Sequence, residues 1–351
     1  MKTYKLYAAV ALLLSMLLIA AATMTSCYSN VSLSYKINDD VKTCIVIGCN
    51  NADNEDVHIP ETYEGYIVIG IADNAFTGQQ FVSVTFPSTL KFIGEGAFYG
   101  CTSLKNVYGL ENCLLLKDIQ YNTFFDCTSL EDIVLPPNLI NIGEQSFLGC
   151  EKLSSIELPD SLQTIGISAF AGCSSLSGID FPDSVTDIGG MAFVLCSSLK
   201  EVTLPPRVSN LIIPFGYCTS LENIFVSDNC LNYSSIDGVL FNKDLSKIVC
   251  YPSGRNRETY IIPNTVSHIE VGAFSSNPYL KEITIPKSVL TIDGYIFGQS
   301  DNISIINYIG TVAEWNKIEK AINWNAQTDS VFSIVCSDGT IAMDGTVTYN
   351  Q

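Results

Sequence analysis

The sequence predicts a β-rich solenoid, in which coils of about 23 residues stack one on the next, with one β-hairpin inserted and a cap at each end. Three observations carry this. Apolar residues recur at a 23-residue spacing through most of the chain. Nine phenylalanines fall at one position of that repeat. The composition, 47% hydrophobic and only 15% charged over 351 residues, demands extensive burial in a chain long for a single globular core.

The chain opens with Lys2 and Lys5, an apolar run from Leu6 to Ala22 and small residues ending at Ser26. This is the order of a secretory signal over residues 1–26. Met24-Thr25-Ser26-Cys27 resembles a bacterial lipobox, which implies a lipid on Cys27 that holds the exported protein to the outer membrane. Plain cleavage and secretion is the alternative. Tyr28-Ser29-Asn30-Val31 lacks the acidic run associated with surface export in some lipoproteins, so the surface and the periplasm both remain open as destinations.

Residues 27–56 read as a linker with opening strands, and residues 57–303 as the repeat array. Aligned on leucine, the coils are LEDIVLPPNLINIGEQSFLGCEK from Leu130, LSSIELPDSLQTIGISAFAGCSS from Leu153 and LSGIDFPDSVTDIGGMAFVLCSS from Leu176. A leucine pattern of this period is the mark of leucine-rich repeats. The apolar positions are the first, fourth, sixth, tenth, thirteenth and eighteenth of the coil, which fits neither one helix nor one long strand. Ile156-Glu157-Leu158 alternates in, out and in as a half-buried strand does, and Pro159 ends it because proline donates nothing to a ladder. Gly166 permits a second corner.

Stacking superposes like residues, so Phe76, Phe98, Phe124, Phe147, Phe170, Phe193, Phe215, Phe274 and Phe297 are expected to form a buried aromatic ladder. The interval from Phe215 to Phe274 is longer than two coils and contains SSIDGVLFNKDLSKIVCYP, which reads as a hairpin inserted at about residues 227–256. Residues 304–351 read as a C-terminal cap.

The pattern LxxIxLPxSLxxIGxxAFxGCSS, with DGVLFNKD ahead of YIIPNTVSHIEVGAF, resembles the BspA-like leucine-rich-repeat family over most of the chain. IPETYEGYIVIGIADNAF resembles that family's first coil, and YIGTVAEWNKIEK followed by CSDGTI its closing cap. The resemblance implies a cell-surface or secreted protein of anaerobic bacteria or parasites, among relatives that include adhesins for host matrix proteins or other cells.

The chemistry that the residues offer is sparse. Cys101, Cys127, Cys150, Cys173, Cys196 and Cys218 recur three residues after the phenylalanine. They read as buried thiols, since no close CxxC pair suggests zinc, although coils about 4.8 Å apart leave occasional disulfides open. His58 and His268 are the only histidines, too few and too far apart in sequence for a histidine triad or a multi-histidine metal site. No GxSxG, HExxH, phosphate loop or dinucleotide fingerprint occurs. No cofactor and no metal are expected, and an enzyme is not; a glycosidase-like carboxylate pair would be invisible to sequence spacing.

What remains is the outward side of the strand that begins each coil: Thr85, Val134, Glu157, Asp180, Thr203, Phe225 and Thr284, bordered by Asp132, Ser155, Glu201, Asn223 and Glu282. Val134 and Phe225 are the unusual members, because exposed apolar groups among Thr, Glu and Asp are candidate contact anchors. The formal charge is −18 and becomes more negative once Lys2 and Lys5 leave with the leader. That field opposes binding to nucleic acid. Trp315 and Trp324 read as packing for the last coil rather than as a sugar platform. The expected function is non-catalytic adhesion to a host or bacterial surface protein, or to a glycan. The alternatives are an architectural envelope component and an unrecognised hydrolase.

Overall fold

The computed structural model describes residues 31–50 and 52–351. The leader and Cys27 lie outside the described residues. The chain winds into a β-solenoid of about 12 turns. Two parallel ladders run along it. The first joins Asp56–His58, Ser83–Thr85, Asn106–Tyr108 and Asp132–Ile133. It resumes as Glu201–Leu204 with Asn223–Val226, and again from Thr259–Ile261 through Glu282–Ile285 and Ile305–Tyr308 to Ser333–Cys336. The second joins Asp118–Ile119, Asn141–Ile142, Thr164–Ile165 and Asp187–Ile188, and later Lys247–Cys250, His268–Ile269, Thr291–Ile292 and Glu319–Lys320.

Each coil is short-stranded because its corners are built in. The proline after the first strand opens a turn that the residue three later closes: Leu162 N donates to the Pro159 carbonyl at 2.9 Å, and Leu139 to Pro136 at 3.2 Å. The glycine after the second strand is demanded by close approach. A Cβ on Gly166 would lie 2.4 Å from the Glu144 backbone nitrogen, and one on Gly189 2.4 Å from that of Ile167. Both contacts are far inside van der Waals range, so the coil above can settle only on a bare α-carbon.

The first ladder differs from expectation at its centre. Ile156-Glu157-Leu158 makes no strand pairing, and its neighbour pairs only through a bridge between Asp180 and Thr203. Two features weaken the ladder there. Glu157 and Asp180 hold the same position in successive coils, where like charges oppose pairing, and Gly178 has no side chain to pack.

All nine phenylalanines of the repeat are buried. Successive rings stack from Phe76 to Phe215 with centroids 5.2–5.8 Å apart. The ladder then changes hands. Tyr251 occupies the phenylalanine position of the inserted coil, 5.5 Å from Phe274, which is followed by Phe297 at 6.1 Å. The core divides in the same region, with one cluster reaching Val249 and a second beginning at Val239.

The repeated cysteines have a role beyond filling space. Each thiol donates to the carbonyl of the phenylalanine in the preceding coil: Cys150 to Phe124, Cys173 to Phe147 and Cys196 to Phe170, at 3.2–3.3 Å. In the C-terminal part Ser300 does the same to Phe274 at 2.6 Å. The cysteines among the described residues are all free thiols, with no disulfide between stacked coils. Burial pushes up the pKa of every thiol in this row, Cys101 to about 12, so they are protonated donors rather than nucleophiles.

The insertion is a three-stranded meander: Tyr233–Ile236, Val239–Asn242 and Lys247–Cys250 pair antiparallel in succession. Its first turn places Asp237 and Gly238 at φ 50° and 74°, the mirror-image turn that Asp-Gly favours because both residues tolerate positive φ. The third strand re-enters the second ladder beside His268–Ile269. At the start, Ser32–Asn38 and Thr43–Asn50 form an antiparallel pair joined to Tyr66–Ile71. At the end, a helical turn Val312–Trp315 carries a capping box between Thr311 and Glu314, and Gly339–Ile341 and Val347–Tyr349 close the last sheet.

Candidate binding face

The strand that opens each coil turns alternate residues to the core and to solvent. In Glu201-Val202-Thr203-Leu204 the burial pattern is exposed, buried, exposed, buried, so Glu201 and Thr203 share one side. Strand register then sets the columns. His58 pairs with Thr85 and Thr85 with Tyr108. Asp180 bridges to Thr203, which pairs with Phe225. Further on, Ile261 pairs with Thr284, Thr284 with Asn307 and Asn307 with Val335.

Val134, Glu157, Asp180, Thr203 and Phe225 are exposed, while Thr85 and Thr284 are half-buried. Val134 at 50% and Phe225 at 43% exposure face outward and do not belong to the core. In the adjoining column, two residues earlier along the strand, Asp132 and Glu201 are exposed and Glu282 is half-buried, accepting a hydrogen bond from Asn307. Ser155 is also exposed, and Asn223 half-buried.

Register adds two members to the row of outward residues. Tyr108 at 52% exposure stands in the column of Thr85, and Ile261 at 71% in that of Thr284 beyond the insertion. The period reaches both, since Tyr108 lies 23 residues after Thr85 and Ile261 lies 23 residues before Thr284, but the longer YGLENCLLL coil and the adjacent insertion obscure their place in the row. The face therefore alternates: Tyr108 and Val134, then Glu157 and Asp180, then Phe225. Gly178 leaves its position bare, with no atom within 4 Å of where a Cβ would stand. A hollow of about 430 Å3 opens beside it, bounded by Asp180, Lys200, Glu201, Thr203 and Asn223.

The insertion abuts the end of this face. Ile224 N donates to the Gly238 carbonyl at 2.9 Å and Ser235 Oγ donates to the Ile224 carbonyl at 2.6 Å. Asp237 holds both Arg255 and Arg257 at 2.6 Å, and Arg255 is buried. Partial burial opposes ionisation of Asp237, and the two guanidinium hydrogen bonds outweigh it, keeping the carboxyl below its ordinary 3.8. This is a clamp between the insertion and the coil that follows it.

The tryptophans pack, as expected. Trp315 is buried, with Tyr308 and Trp324 edge-on at 5.4 and 5.9 Å. The two histidines lie apart, His58 exposed on the first ladder and His268 half-buried on the second. No helix among the described residues is long and apolar enough to cross a membrane.

Comparison with known proteins agrees with this architecture. The sequence pattern of the BspA type leucine rich repeat region matches in six copies, at residues 69–114, 117–246 and 249–321. A leucine rich cell surface protein from Faecalibacterium prausnitzii A2-165 superposes with a TM-score of 0.67 at 25% identity, over 83% of this chain and 97% of that one. The pneumococcal vaccine antigen PcpA superposes with a TM-score of 0.55 at 22% identity, over 88% of this chain and 84% of that one, a likeness of fold. Among curated proteins none matches the chain. With the family pattern covering most of its length, repeat by repeat, the chain belongs to the BspA type leucine-rich-repeat family.

Proposed function

We propose that this chain is a non-catalytic extracytoplasmic binding protein whose first-ladder face takes a protein or glycan of another surface. The observation that carries the reading is the column itself. Solvent-facing Tyr108, Val134 and Phe225 interrupt a row of Thr, Glu and Asp, and beyond the insertion exposed Ile261 stands beside Thr284. Exposed apolar side chains on a rigid strand lose little freedom on contact and serve as anchors, while the carboxylates between them set charge preference. The family is a repeat scaffold rather than a catalytic fold, and the similar Faecalibacterium protein is a cell-surface protein. Export through residues 1–26 and attachment through a lipid on Cys27 belong to the same proposal.

Two experiments test it. Arrays of host matrix proteins, bacterial surface proteins and glycans are probed with the wild-type chain and with Phe225→Ala and Glu157→Lys. A specific hit weakened at least tenfold in either variant supports the face. Wild-type binding in both variants rejects it. Protease treatment of intact cells tests location, because a chain that survives such treatment has no access to a host partner.

A further inference from the structure

We propose that His268, Glu270 and Asp293 form a binding site for a divalent transition-metal ion on the second ladder, independent of the binding face on the first. Strand alternation puts Glu270 on the same side as His268, and coil stacking brings Asp293 to them. His268 pairs in register with Lys247 on one side and Thr291 on the other. Glu270 and Asp293 each lie two residues beyond a paired position, so they emerge on the same side of the ladder as the imidazole.

The donor atoms converge on one point. Asp293 Oδ2 lies 3.1 Å and Glu270 Oε2 3.7 Å from His268 Nε2, and all three ligand atoms fall within 4.8 Å of one another. Bonds of about 2.0–2.1 Å to a tetrahedral zinc ion set ligand atoms roughly 3.3 Å apart, between those two values. The other ring nitrogen is already engaged, with Nδ1 2.5 Å from Thr291 Oγ1. Donation of Nδ1–H to that hydroxyl leaves the Nε2 lone pair facing two carboxylates, the tautomer that a metal-ligating histidine requires and that an outer-shell hydrogen bond enforces. Side-chain exposures of 21–40% leave the three groups partly dehydrated yet reachable from solvent. One imidazole and two carboxylates suit zinc, cobalt or manganese and leave positions for water.

Lys247 competes for the same oxygen. Its Nζ lies 2.8 Å from Glu270 Oε2, so an ion at the cluster must displace the ammonium from that atom. Removing the ammonium therefore frees a ligand, and Lys247→Met is expected to bind metal more tightly than the native chain. A role confined to packing or to salt bridging predicts no such gain, and a Lys247→Met variant that binds no more tightly than the native chain would count against the site.

The test is titration of the tag-free purified chain, its thiols kept reduced by a non-chelating phosphine, with Co2+ followed by visible absorption and with Zn2+ by calorimetry. The expected result is saturable one-to-one binding, lost in His268→Ala and Asp293→Asn and retained in His58→Ala. Thr291→Val should weaken it by about 10–100-fold, the range for an outer-shell partner, with the far-UV circular dichroism unchanged. A neutral ring that donates Nε2–H to Asp293 satisfies the cluster without metal, and no saturable cobalt spectrum would then appear. That outcome overturns the proposal. So does binding that survives both His268→Ala and Asp293→Asn, or a thiolate-to-cobalt charge-transfer band, which would place the ion on cysteine.

Discussion

Replacing Phe170 by alanine tests the packing logic of the whole array at its most regular point. The ring is fully buried. It lies parallel to Phe147 at a centroid distance of 5.2 Å and within 8° of parallel to Phe193 at 5.3 Å. Returning a large apolar side chain to water costs about 1.5–3 kcal/mol, and each lost ring pair adds roughly 0.5–1.5 kcal/mol. The combined loss agrees with the ~3–5 kcal/mol found when buried phenylalanines are truncated and a cavity remains. Collapse of the cavity is opposed by the coils on both sides, whose backbones are already hydrogen-bonded across it: Phe147 N to Ala169 O and Phe170 N to Ala192 O, both at 2.8 Å. Repeat arrays lose two-state behaviour, so the readout must be local. Tryptophan fluorescence would miss the event, because Trp315 and Trp324 both sit in the C-terminal core cluster or against it. Hydrogen exchange read by mass spectrometry should show reduced protection across the coils of Phe147, Phe170 and Phe193, and little change beyond Tyr251. Urea unfolding followed by circular dichroism should give the matching loss. Less than about 1 kcal/mol of destabilisation would refute the ladder as a source of stability.

Two further outcomes follow from side chains that the repeat does not treat alike. Cys173→Ser should be better tolerated than Cys173→Ala, since a hydroxyl can still donate to the Phe147 carbonyl as Ser300 does to Phe274. Loss of the donor costs about 0.5–1.5 kcal/mol, and a more stable alanine variant in urea melts would show that the thiol serves as bulk alone. Asp237→Asn leaves Arg255 buried without its counter-charge. The expected cost is about 1–2 kcal/mol, less than for a fully buried pair because Asp237 is half-exposed, read as faster exchange in Val239–Asn242. Because the folded carboxyl is held below its ordinary 3.8, the clamp is fully present above that pH and is lost as pH falls through the lower folded value. Exchange protection of the insertion in the native chain should therefore decline below about pH 4, and equal acid sensitivity in the Asp237→Asn variant would remove the clamp from the account.

Much of this molecule was legible because its core repeats at a fixed spacing. Phe147, Phe170 and Phe193 lie 23 residues apart, and any stack of equal coils brings them together without long-range information. The Pro159 and Gly166 corners are local demands of the same kind. On the candidate face, outward placement of Val134 and Phe225 followed from strand alternation alone, since each lies beside a buried isoleucine, Ile133 and Ile224.

Tertiary structure decided what falls outside the period. Tyr251 lies 23 residues before Phe274, but the meander of Tyr233–Cys250, whose length no repeat fixes, separates it from Phe215, and the stacking decided that a tyrosine continues the aromatic ladder. Tyr108 and Ile261 keep the 23-residue spacing to Thr85 and Thr284, and tertiary structure decided only that they pair there and stand exposed. The ladder fails at Ile156-Glu157-Leu158, where the consensus is intact and the variable positions Glu157, Gly178 and Asp180 govern pairing. Asp293 meets His268 and Glu270 because a lateral neighbour in a solenoid is one coil away in sequence, so the three-ligand cluster exists only after stacking. Period and composition thus determined the scaffold, since burial must repeat wherever coils are equal. Cross-coil contacts among the variable residues determined the surfaces, since those depend on which side chains the stacking happens to align.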